Sequence, residues 1–147
     1  MALVIPMKKL VVLGLFASLS VIADEQPKKY LISLDYAQVE QVAATQHKNG
    51  SWCFAAQVRH NDQGWDHYAD AWHITDLAGN VLGKRVLAHP HDHEQPFTRS
   101  LCDVEIAEAL KEVVVSSTCN VHGFGGKATI VNLNKTQGNG FTVKRVD

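Results

Sequence analysis

The chain has 147 residues, 46% of them hydrophobic, with 14 Lys and Arg against 15 Asp and Glu for a formal net charge of −1. That balance excludes the basic footprint that nucleic acid or an anionic membrane surface requires. The length suits one domain around a single hydrophobic core, and a second domain is not expected.

At the start, Lys8 and Lys9 precede an apolar run over residues 10–22, and Val21-Ile22-Ala23 supplies small or modest residues before a cut. This is the three-part build of a Sec-type secretory signal. Residues 1–23 are therefore expected to be a cleaved signal peptide, with Met7 as a second possible start, and residues 24–37 a lead-in. The apolar run falls short of the roughly 20 residues needed to span a bilayer. No membrane span is expected after cleavage, an uncleaved anchor being the alternative. Without Lys8 and Lys9, 12 basic residues face 15 acidic ones, in a product expected to be periplasmic or secreted.

From Val39 onward the chain breaks into short β-rich runs divided by turn residues, with no long stretch at helical spacing. Strands are expected over residues 39–47, 52–59, 68–75, 81–87, 97–106, 113–119 and 127–133. Lys48-Asn49-Gly50 turns the first into the second, where Trp52, Phe54, Ala56 and Val58 alternate on one face. Trp72 is the expected core aromatic of the third strand. Seven strands with that Trp match an all-β, immunoglobulin-like or fibronectin-type antiparallel β-sandwich over residues 38–134, with a jelly roll or small barrel as the rival. Residues 34–41 could form a helical turn, and residues 135–147 a loose tail or an edge strand.

Three cysteines in an exported domain suggest one disulfide and one thiol left over. Cys53 starts its strand and Cys119 ends one running the same way, roughly 20 Å off at about 3.3 Å per residue, whereas a disulfide needs Cα atoms within about 7 Å. Cys102 lies late on the strand expected to pair with that of Cys53. The expected bridge is Cys53 to Cys102 with Cys119 free, the alternative being three reduced cysteines.

Alternating strand directions gather three loops at one end of the sandwich. They carry Trp65, Asp66 and His67; His89, His91, Asp92, His93 and Glu94; and His122, with His60 nearby. Neutral imidazole is the commonest side-chain metal ligand, and a site needs three or four donors. In His89-Pro90-His91 an extended backbone aims both imidazoles the same way. His67, His89, His91 and His122 are the expected donors, with Asp66, His93 and Glu94 in reserve, and Cu(II) or Zn(II) the fitting ions. The structural alternative is histidines that cap strands or stack on aromatic rings. Asp70 and Arg99 have inward parity near the same end and are expected to pair with each other, or with a carboxylate such as Glu94. His73 is expected to be solvated.

The segments Gly64-Trp65-Asp66-His67-Tyr68-Ala69-Asp70, Leu87-Ala88-His89-Pro90-His91, Glu94-Gln95-Pro96-Phe97-Thr98-Arg99-Ser100 and Val121-His122-Gly123-Phe124-Gly125-Gly126 resemble those of a group of small, uncharacterised exported bacterial β-sandwich proteins. The likeness spans residues 52–131. It implies that these loops form one unit, and it implies no activity; the three cysteines fall outside its pattern.

The functional expectation is an exported sandwich whose histidine-bearing tip binds a divalent transition metal. The alternative from another class is a non-catalytic module that presents Trp65, Phe124 and the same loops to an envelope protein. An enzyme is not expected, because no serine or cysteine sits in a recognisable nucleophile setting.

Overall fold

Trp52, Phe54, Ala56 and Val58 are buried while the residues between them are less so, the period-two pattern of a strand with one face in a core. Val113, Val115, Ser117 and Cys119 repeat it. In the computed structural model, which describes residues 33–147, such runs form β1 (Gln38–Gln46), β2 (Trp52–Arg59), β3 (Ala69–Thr75), β4 (Val81–Val86), β5 (Phe97–Val104), β6 (Glu112–Cys119), β7 (Thr129–Asn132), β8 (Gln137–Gly138) and β9 (Phe141–Arg145). The expected signal peptide lies outside the described residues, as does most of the lead-in. Among the described residues no helix is long and apolar enough to cross a membrane.

One sheet has the order β5-β2-β1-β9-β8 and the other β4-β3-β6-β7. Every pairing is antiparallel except that of β1 with β9. This is the expected immunoglobulin-like, fibronectin-type sandwich, with the hairpin partner β4 lying beside β3. Phe54, Trp72, Ile74 and Phe97 are fully buried in the core, each such side chain contributing about 1.5–3 kcal/mol by leaving water. Residues 34–36 form a turn rather than helix. The last segment places Phe141 beside Val42 of β1 and buries Phe141 and Val143.

Two register shifts redirect side chains. Glu40 is an extra residue in β1 between Val39 and Gln41, so that Val39 and Val42 both face inward. Asp70 is an extra residue in β3, with Ala69 opposite Cys119 and Ala71 opposite Thr118. A bulge of this kind re-aims the side chain it carries. Asp70 consequently accepts a hydrogen bond from Thr118 Oγ1 at 2.7 Å and does not pair with Arg99. Arg99 takes the nearer carboxylate: its Nη2 lies 3.0 Å from Glu94 Oε2. The expected Asp70–Arg99 pair is thus replaced by Arg99–Glu94, the alternative partner. His73 is also not solvated; it is buried, with its ring 5.1 Å from that of Phe124.

Cys53 and Cys102 form a disulfide between β2 and β5, leaving Cys119 as the free thiol. The β2–β5 register shifts between Trp52 and Phe54, and Asp103 has a φ of 57°. The irregularity brings Cys102 alongside Cys53, far along β2 from the end that matters below.

Candidate metal centre

β2 ends one residue before His60, β3 begins opposite the last residue of β6, and the chain after Cys119 turns back at once. The 60–68 and 120–128 loops are therefore neighbours. Asn120 locks them together: its Oδ1 accepts from the Tyr68 amide at 2.9 Å and its Nδ2 donates to the Trp65 carbonyl at 3.0 Å. The Asp62 carboxylate and the Asp92 side chain, which accepts from the Gly64 amide at 3.0 Å, tie in the 87–96 loop.

Parity along β6 turns Cys119 inward at the strand end, where it is 2% exposed, and His60 is 1% exposed beside it. One ligand atom each from His60, His67 and Cys119 lie within 4.8 Å of one another. His122 joins them, its Nδ1 lying 3.2 Å from His67 Nε2 and 3.5 Å from Cys119 Sγ, while Sγ is 3.7 Å from His67 Nε2. On a tetrahedral ion with metal–nitrogen bonds of about 2.05 Å and metal–sulfur bonds of about 2.3 Å, paired donors sit about 3.3 Å apart for two nitrogens and about 3.6 Å for nitrogen and sulfur. The three spacings match one face of such a sphere. The Asp35 carbonyl oxygen lies among them, accepting from the Cys119 thiol at 3.4 Å and standing 3.1 Å from His60 Nε2 and 3.3 Å from His67 Nε2.

Asp62 stands behind this group, fully buried. Its Oδ1 is 2.6 Å from His60 Nδ1 and accepts from the Ala69 amide at 3.0 Å, and its Oδ2 accepts from the His91 amide at 2.7 Å. Burial pushes the Asp62 carboxyl up, but the His60 contact and the two amides together hold it below the usual carboxylate value. The carboxylate on Nδ1 orients the ring, with Nε2 3.1 Å from the Asp35 carbonyl oxygen. A carboxylate behind a ligating histidine is the usual second support of a metal site.

Glycine brings the 33–37 segment close. A side chain at Gly126 would drive into the Ala37 carbonyl, and one at Gly125 into the Tyr36 ring. Tyr36 in turn lies 5.4 Å from the His122 ring.

The chain is similar to a protein of Halomicrobium mukohataei described as "Putative lipoprotein", with 43% identity over 79 residues, covering 54% of this chain and 38% of that protein. The chain thus matches well under half of that relative's length. No family model matches the chain, and no solved structure does.

Of the four donors expected from sequence, the tip brings His67 and His122 together and sends His89 and His91 elsewhere. His91 is buried with its ring stacked on Phe97 at 3.8 Å, and His89 lies 4.6 Å from it. Both line a cavity of about 170 Å³ with Arg85 and Arg99. Burial, then the Arg99 and His89 charges, hold His91 below the ordinary imidazole value. Among the reserves, Asp66 and His93 are exposed and Glu94 is engaged with Arg99. Cys119, Asp62 and the Asp35 carbonyl were not foreseen as site groups, and His60 was expected at the tip without being named a donor. Two local signals carried them: His60 and Asp62 alternate around one residue, and Cys119 precedes His122 by three, a spacing that returns both to one point across a tight turn.

Proposed function

We propose that this chain is an exported β-sandwich protein that binds one transition metal ion, Cu or Zn, at the tip through His60, His67, Cys119 and His122. The observation that carries this reading is the convergence of His60, His67 and Cys119 ligand atoms within 4.8 Å, backed by the Asp62 carboxylate on His60. Export rests on the signal-like residues 1–23, on the Cys53–Cys102 disulfide, which suits an oxidising compartment, and on likeness to a protein named as a lipoprotein. Periplasmic or secreted delivery follows from the same features. The role is binding rather than turnover.

Titration of metal-free, reduced protein with Zn(II) and Cu(II) tests the assignment. One equivalent should be taken up tightly, with affinity falling 100-fold or more in a His60→Ala, His67→Ala double variant. His89→Ala should leave it unchanged. Absence of uptake defeats the proposal, and uptake that vanishes in His89→Ala returns the donors to the 87–96 loop. A second reading, a surface for an envelope protein, is favoured by exposed Trp65, Val121 and Phe124 at the same tip. Trp65→Ala with Phe124→Ala should leave metal uptake intact, which separates the two.

A further inference from the structure

We propose that the cavity of about 170 Å³ at the seam between β4 and β5 binds a small tetrahedral oxyanion such as phosphate, held by Arg85, Arg99 and the His91 imidazole. The two strands are edges of different sheets, so the seam is an open side of the sandwich. None of these residues is among the metal donors proposed above.

The His91 side chain is 1% exposed, yet among the described residues neither of its ring nitrogens has a hydrogen-bond partner. Nδ1 stands 3.9 Å from Asp62 Oδ2, beyond hydrogen-bonding range. Native proteins pair nearly all buried polar atoms, and an exception points to an ion or ligand beside it. The ring is also fixed in place. It stacks on Phe97 at 3.8 Å, while the His91 amide donates to Asp62 Oδ2 at 2.7 Å and the His91 carbonyl accepts from Gln95 Nε2 at 3.2 Å. Held in this way, the imidazole lines the cavity together with His89, Arg85 and Arg99.

Arg85 and Arg99 supply the charge. Arg99 already grips a carboxylate, with Nη2 3.0 Å from Glu94 Oε2 and Nη1 3.4 Å from Glu94 Oε1. The Glu94 side chain is 59% exposed, and an ion pair open to water contributes little, so an entering anion displaces it at small cost. One guanidinium fork satisfies both oxygens of a carboxylate. Two forks and an imidazole N–H ask for three or more oxygens, which phosphate has and a carboxylate lacks. The cavity is smaller than the roughly 300–1,000 Å³ of pockets for drug-sized ligands, which limits the guest to a small ion.

Calorimetric titration of chelator-treated protein with inorganic phosphate at low ionic strength tests the site without any metal. One equivalent should bind, and the His91 ring resonances should shift as it does. Arg85→Gln should weaken binding about 10-fold or more, the effect of losing a hydrogen bond to a charged group. Arg85 is exposed on its edge strand, so the same variant should keep the urea midpoint. Glu94→Gln should tighten binding, because it removes the carboxylate that competes for Arg99. Absence of phosphate uptake, His91 resonances that stay put at saturation, or affinity unchanged in Arg85→Gln overturns the proposal. Acetate bound as tightly as phosphate overturns it too, since a carboxylate would then suffice.

Discussion

Asp62 accepts hydrogen bonds from two backbone amides and touches His60, so a single carboxylate joins the residues after β2, the start of β3 and the 87–96 loop. Removing it strands the Ala69 and His91 amides, a loss of about 1–3 kcal/mol for each unsatisfied buried group. Asp62→Ala should therefore destabilise the metal-free protein by about 3 kcal/mol or more, read from urea denaturation in chelator. It should also weaken metal uptake about 10- to 100-fold, the usual effect of losing a supporting carboxylate. Unchanged uptake would mean that His60 is not a ligand. The proposed donors divide by how much each depends on neighbours. His67 and His122 sit in loops whose placement follows from strand direction, and both were readable. Cys119 has the inward parity of a core residue, and only the end of β6 converts that parity into a place beside His60 and His67.

At the scale of elements, β9 shows how a polar tail becomes structure. Gly138-Asn139-Gly140 reads as loose chain, yet Phe141 and Val143 alternate and are buried against β1 in parallel register. Their contribution depends on a partner strand almost a hundred residues earlier, which local pattern does not reveal. Phe141→Ala should cost about 3 kcal/mol or more, the cavity penalty for a buried aromatic, measured as a fall in the denaturation midpoint. A change under about 1 kcal/mol would restore the view of residues 135–147 as a tail. β3 teaches the complementary lesson. Its alternation was legible, but the extra residue at Asp70 was not, and this one-residue slip changed the partner of Asp70 from Arg99 to Thr118.

For the whole molecule, His73 and His91, two buried imidazoles outside the proposed metal site, set a common pH dependence. Burial, then the Lys84 charge, lower His73, with Asp70 pulling the other way; burial, Arg99 and His89 lower His91. As pH falls through about 6.5, the unfolded chain takes up these protons before the native one does. The stabilisation is thus complete above that value and is lost progressively below it. Urea midpoints in chelator should drop from pH 7.5 to pH 5.5, and the drop should shrink in His73→Leu. A midpoint that holds or rises on acidification would contradict the burial of both rings as charge-averse groups.

The amino-acid order alone determined the strands, their alternation, the Cys53–Cys102 bridge and the gathering of histidine loops at one end, because each follows from period-two burial and reversal at turns. Which groups meet there was decided only in three dimensions. Such convergence is a matter of ångströms, and those ångströms come from the register shift at Asp70, the close approach of Gly125 and Gly126 to the 33–37 segment, and the carboxylate of Asp62. Alternating strands gather the histidine loops at one end of the sandwich, while packing brings ligand atoms of His60, His67 and Cys119 together and lays His91 on the Phe97 ring with His89 beside it.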